Sequence, residues 1–89
     1  MVISIINKVF VKLVVPEIDK TYDIYLPVNK KIGNIINLIN KAINELTDGE
    51  YELSNENELY NRATKEKYTP DTLLINTNIR NGSTLVLIS

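Results

Sequence analysis

The residues best able to do chemistry are thinly spread along this chain. It has no Cys and no His. That removes the thiolate nucleophile, the commonest general base and the commonest transition-metal ligand together. What remains is an acidic series, Glu45, Asp48, Glu50, Glu52, Glu56 and Glu58. Carboxylates in such number suit a hard cation, but their spacing does not fit the calcium-loop pattern, so they read as a solvated surface. A second group, Tyr60, Arg62, Lys65, Lys67 and Tyr68, mixes cations with aromatic rings in one loop, a composition open to an acidic partner or to ordinary loop solubility. Asn81-Gly82-Ser83 matches a glycosylation acceptor, yet Asn-Gly is first of all a turn. No Gly-rich phosphate loop, nucleophile–base pair or metal-ligand cluster is present. The expectation is a protein that is not an enzyme and takes no cofactor and no metal.

Composition narrows the partners. The chain of 89 residues is 44% hydrophobic, with one Phe and no Trp, so an aliphatic core of Ile, Leu and Val carries one small domain. A net charge of −1 argues against nucleic acid, whose phosphates draw on clustered positive charge. The apolar start MVISIINKVFVKLVV is interrupted by Lys8 and Lys12 and is too short to span a membrane. It also lacks the basic opening and cleavage site of a signal peptide. We expect a cytoplasmic protein with no direct membrane insertion, in which residues 1–8 are a lead-in and 9–89 the domain.

The elements that must position any surface centre on Asn29–Leu46. Ile32, Ile35, Ile36, Ile39, Ile43 and Leu46 recur at three- and four-residue steps and form one stripe of an amphipathic helix. Asn29 is the expected N-cap, and Thr47-Asp48-Gly49 the stop. Before the helix, Val9, Val11 and Leu13 alternate with Phe10, Lys12 and Val14. After a turn at Pro16–Lys20, Tyr22, Ile24 and Leu26 alternate with Asp23 and Tyr25, which predicts an antiparallel hairpin. Tyr51–Ser54 reads as a third short strand, Leu59–Arg62 as a brief fourth, and Ala63–Pro70 as polar loop. Leu73–Ile75 fits a short helical turn, and Ser83–Ser89 a last strand. That strand is too uniformly apolar for an isolated edge. Placed centrally and parallel to the first strand, it gives an α+β fold: a β-grasp whose mixed four- to five-stranded sheet packs on one main α-helix.

At this point the chain resembles ubiquitin. DTLLINTNIRNGSTLVLI, from Asp71, is similar in residue types and spacing to the end of the ubiquitin fold: Leu73 or Leu74, then Asn78-Ile79, then Ser83-Thr84-Leu85 leading into the last strand. Ile32, Ile35 and Ile39 match apolar helix positions of that family. The sequence departs from it by ending at Ile88-Ser89 without the Gly-Gly on which conjugation depends. Leu26-Pro27-Val28-Asn29-Lys30-Lys31-Ile32 and Ile79-Arg80-Asn81-Gly82 with Leu85 resemble the YukD/EsaB-like family of type VII secretion systems.

This resemblance implies a non-conjugated, non-catalytic ubiquitin-like module that binds a protein partner, as an accessory component of a bacterial type VII secretion system and beside its membrane complex. The alternatives are a β-grasp interaction or homo-oligomerisation domain outside secretion, and a carrier that donates its C-terminus covalently. In ubiquitin the sheet face away from the helix is the docking surface. Its counterparts here are Phe10, Lys12, Val14, Val86 and Ile88, with Ile18 from the hairpin turn beside them. If Tyr51–Ser54 pairs as in ubiquitin, Glu52 and Ser54 face outward where ubiquitin has an isoleucine.

Overall fold

Strict alternation of apolar residues makes the first hairpin. In a computed structural model, which describes residues 7–54 and 56–88, β1 (Lys8–Val15) pairs antiparallel with β2 (Lys20–Pro27). Pro16–Ile18 turns between them as one 3₁₀ turn. It closes through Asp19, whose φ of 53° is left-handed and whose N–H donates to the Pro16 carbonyl at 3.1 Å. Val11, Leu13 and Val15 face the core and are at most 1% exposed, while Phe10 and Lys12 face out. The expected lead-in at 1–8 lies mostly outside the described residues. Of its last residues, Asn7 accepts from the Val28 N–H at 2.9 Å and Lys8 opens β1.

The helix α1 spans Ile32–Leu46, and its stripe Ile32, Ile35, Ile36, Ile39 and Ile43 is buried as the spacing predicts. Three details differ from the sequence expectation. The N-cap position is Lys31, not Asn29, and among the described residues no side chain caps the helix start. Backbone does so instead: Ile32 N–H donates to Thr72 O and Gly33 N–H to Pro70 O, both at 2.9 Å, which satisfies the orphan donors of the first turn. That approach is close enough that a Cβ on Gly33 would lie 3.3 Å from both the Cβ and the carbonyl oxygen of Pro70. Leu46, expected in the stripe, is 68% exposed because it sits one turn beyond the sheet contact, whereas Asn40 is buried inside the stripe. At the far end Asp48 (φ 51°) and Gly49 (φ 84°) turn left-handed, and Gly49 N–H returns to Asn44 O at 2.8 Å.

Tyr51–Ser54 is not a strand. Its place is set by side-chain hydrogen bonds to the helix. Tyr51 is 2% exposed; its hydroxyl donates to Asn40 Oδ1 at 3.0 Å and accepts from Asn57 Nδ2 at 2.9 Å. Asn40 Nδ2 in turn donates to Asn57 Oδ1 at 2.9 Å and to the Ser54 carbonyl at 3.0 Å. The backbone of Tyr51 is taken as well: its N–H donates to Thr47 Oγ1 at 2.9 Å and its carbonyl accepts from Asn44 Nδ2 at 2.7 Å, so it is not free to join a ladder.

The strand beside the last one is therefore β3, Glu58–Asn61, and β4 is Thr84–Ile88. Among the described residues the sheet has four strands in the order β2-β1-β4-β3; β4 runs parallel to β1 and antiparallel to β3. A parallel pair needs a crossover, and α1 with the segment after it supplies one. A 3₁₀ turn at Leu74–Asn76 drops the fully buried Leu74 into the core; Leu74 N–H bonds Lys30 O and Ile75 N–H bonds Val28 O. One helix on a mixed four-stranded sheet is the α+β β-grasp arrangement read from the sequence.

Candidate interaction surface

Strand parity decides what the open sheet face carries, since successive side chains point to opposite sides. With Val11, Leu13, Leu85 and Leu87 in the core, the other face receives Phe10, Lys12 and Val14 from β1, and Thr84, Val86 and Ile88 from β4. Register then brings in the neighbours. Val14 lies beside Val86, Val86 beside Tyr60, and Ile88 opposite Glu58. On the other side Tyr25 lies opposite Phe10 and Asp23 opposite Lys12.

The face carries an aliphatic strip with a charged pair on either side of it. Val14 and Val86 are half-buried against one another, Ile88 is 46% exposed, and Tyr60 flanks them. The Phe10 and Tyr25 rings sit 5.0 Å apart, tilted by 53°, between the stacked and edge-to-face arrangements. Asn81 Oδ1 accepts from the Phe10 N–H at 2.8 Å and fixes the strand end that carries the ring. Lys12 Nζ is 3.6 Å from Asp23, and Lys67 Nζ is 2.7 Å from Glu58 Oε2. Hydrogen bonding and charge from Lys67 hold the Glu58 carboxyl below the usual glutamate range, and Glu58 raises Lys67 in return. The Glu58–Lys67 pair thus keeps its charge at neutral pH.

Five of the six residues expected on this surface are brought together. Ile18 is not: it is half-buried and packs against the core, beside Thr47 at the helix end of the molecule. The 3₁₀ turn after β1 rolls its side chain to the helix side. Tyr25 and Tyr60 belong to the face and were absent from the expected set. For Tyr25 the signal was legible, as its outward parity matches that of Phe10. For Tyr60 it was obscured, because Tyr51–Ser54 had taken the place of β3. Glu52 and Ser54 accordingly do not replace an isoleucine on this face; Glu58 and Tyr60 are the outward residues of the paired strand.

The other chemistry-bearing groups resolve into structure. Tyr68 is buried; its hydroxyl accepts from Asn61 Nδ2 at 3.0 Å and donates to Asn78 Oδ1. Burial pushes the phenols of Tyr51 and Tyr68 above their ordinary value. Lys67 is engaged by Glu58, so the mixed basic–aromatic loop does not form one surface. Among the described residues no three His, Cys, Asp or Glu side chains are grouped to hold a metal ion.

No family model matches this sequence, and no curated protein is significantly similar to it. Solved structures are similar in fold. The ubiquitin-like domain of the Mycobacterium tuberculosis type VII secretion protein EccD1 superposes with a TM-score of 0.70 at 14% identity, over 94% of this chain and all of that one. The fold is ubiquitin-like. A chain from a structure concerned with molecular mimicry of SUMO in DNA repair gives 0.71 at 10% identity, covering 97% of this chain and 96% of that one. A chain of the ESX-5 inner membrane complex gives 0.67 at 15% identity over 92% of this chain, which spans about a fifth (21%) of its length. At these identities the likeness is one of fold.

Proposed function

We propose that this ubiquitin-like chain is a non-catalytic protein-binding module, that it docks through the open sheet face, and that its partner is a membrane component of a bacterial type VII secretion system. The observation that carries the docking is the Val14–Val86–Ile88 strip, flanked by Tyr60 and set between the Lys12–Asp23 and Glu58–Lys67 pairs, with the Phe10–Tyr25 pair on the far side of Lys12–Asp23. An apolar centre with a charged rim is the anatomy of a protein interface. The secretion assignment draws on the fold shared with the EccD1 domain and with a chain of the ESX-5 complex. Among the described residues no helix is long and apolar enough to cross a membrane, so membrane association on this reading comes through the partner.

The test is affinity capture of the tagged protein from detergent-solubilised native cells, alongside Phe10→Ala and Val86→Asp. The expected result is enrichment of a type VII secretion component by the wild type and its loss with both variants, which keep their melting temperatures within a few degrees. Capture that persists in both variants sinks the face; capture of an unrelated protein sinks the secretion assignment.

A further inference from the structure

The two edges of the sheet are finished differently. β3 is covered: Tyr60 bridges Lys67, Tyr68 N–H donates to Leu59 O at 3.0 Å, and Asn61 N–H donates to Glu66 O at 2.9 Å. β2 is eight residues long, runs in unbroken register with β1, and has no strand beyond it among the described residues. Lys12 N–H donates to Ser83 O and Gly82 N–H to Phe10 O, so Phe10 and Lys12 aim their backbone at β4. Val9, Val11 and Leu13 therefore aim theirs at Leu26, Ile24 and Tyr22. That leaves the backbone groups of Thr21, Asp23 and Tyr25 directed outward. Long edge strands are ordinarily blunted by Lys, Pro or a bulge. Here Asp23 is the only charge between Thr21 and Leu26, and Pro27 guards only the end.

Alongside this edge α1 lays a second apolar row, Leu38, Ala42 and Leu46, all exposed and spaced by one helical turn. Between helix and strand lies an apolar groove of about 240 Å³, lined by these three residues together with Tyr22, Ile24 and Leu26.

We propose that a second copy of this chain occupies the edge: two β2 strands pair antiparallel about a two-fold axis at Ile24, giving one continuous eight-stranded sheet. In that register Ile24 faces Ile24 of the second copy, and Tyr22 faces Leu26. Asp23 exchanges backbone hydrogen bonds with Tyr25, so the two Asp23 carboxylates are not set opposite each other. The carbonyl of Pro27, which has no N–H to give, meets Thr21, which donates. The helix row has the same symmetry: with Ala42 near the axis, Leu38 of one copy meets Leu46 of the other. A foreign strand would need the open edge and the groove. It would not need both rows to read alike in either direction, as an isologous contact does. The strip is about 24 Å long and about 20 Å deep, near 500 Å² from each copy, which places the dimer among the small, weak interfaces. The two-fold axis stands perpendicular to the sheet, so the open face described above remains free on both copies.

Sedimentation equilibrium, run from about 10 to about 500 µM, reaches the concentrations at which a weak dimer forms. The expected mass rises from 10.1 kDa toward twice that value. Ile24→Cys, in a chain with no other cysteine, should oxidise to a covalent dimer, because facing non-hydrogen-bonded pairs lie within disulfide reach. Asp23→Cys should not cross-link, and Ala42→Glu, at an exposed helix position, should leave a folded monomer. Constant mass at 10.1 kDa with no Ile24→Cys cross-link overturns the proposal and leaves the edge to a foreign strand. A dimer that survives Ala42→Glu, or that cross-links through Asp23→Cys instead, overturns the interface or its register. These readouts need no other protein, so they stand or fall apart from the secretion reading.

Discussion

Asn40→Ala tests whether side-chain hydrogen bonds, and not strand pairing, hold Tyr51, Ser54 and Asn57 in place. Asn40 is 3% exposed and makes three hydrogen bonds: to the Ser54 carbonyl, to Asn57 Oδ1 and from the Tyr51 hydroxyl. Truncation strands the Tyr51 hydroxyl proton and Asn57 Oδ1 in the interior, while the half-buried Ser54 carbonyl can reach water. Two buried unsatisfied groups at about 1–3 kcal/mol each give a loss of about 3 kcal/mol, toward the lower end if water enters the space left behind. That is a large share of the about 5–15 kcal/mol by which a domain is stable. The assay is urea unfolding at unchanged m-value, with amide exchange followed across residues 50–58, where protection should fall first. Tyr51→Phe removes the same hydroxyl. The double variant should therefore cost less than the two singles combined, by about 0.5–3 kcal/mol, as for partners in one network. A loss below about 1 kcal/mol for Asn40→Ala, or strict additivity with Tyr51→Phe, would refute the reasoning.

Ile39→Ala, at a position 5% exposed in the helix stripe, should cost about 2–5 kcal/mol in the same melt. Leu46→Ala, 68% exposed, should stay within about 0.5 kcal/mol in dilute protein; equal losses would mean that the stripe is misassigned. Tyr51 and Tyr68 have phenol pKa values raised above 10.0 by burial, so their contribution is fully present below pH 10. It is lost as pH climbs through the folded-state values, because the unfolded chain deprotonates first. Tyr51→Phe should flatten that alkaline fall in stability, and a fall of unchanged steepness would assign it elsewhere.

The hairpin, the helix and the outward parity of Phe10, Lys12, Val14, Val86 and Ile88 were legible because each rests on a local period of two or 3.6 residues, and the central last strand because it is too apolar for an edge. The misreadings share a different cause. Tyr51-Glu52-Leu53-Ser54 alternates well enough for a strand, but Tyr51 is claimed by Asn40 and Asn57, which lie eleven residues before it and six after. No local pattern announces a buried asparagine. Asn29 is a reasonable cap by type, yet carbonyls of Pro70 and Thr72, some forty residues on, reach the helix start first. Ile18 follows a 3₁₀ turn whose rotation strand parity does not describe. In each case a long-range hydrogen bond or a turn outweighed a local preference, and the loss of β3 from the expected site followed from the first of them.

The apolar side chains of the open face do little for folding. The core lies on the other side, and an antiparallel sheet can leave one face polar and in water. Apolar area is worth about 25 cal/mol per Å² only once it leaves water. Phe10 and Tyr25, at 5.0 Å, already withdraw part of theirs against each other. The area still open is the strip from Tyr60 across Val86 to Ile88, between the Lys12–Asp23 and Glu58–Lys67 pairs. A partner gains most by covering this strip, since contact at the centre of an interface is the contact most fully dried. Val86→Asp should therefore weaken docking more than Phe10→Ala. The reverse order would move the centre of the surface to the Phe10–Tyr25 pair, next to the β2 edge where a second copy is proposed to sit.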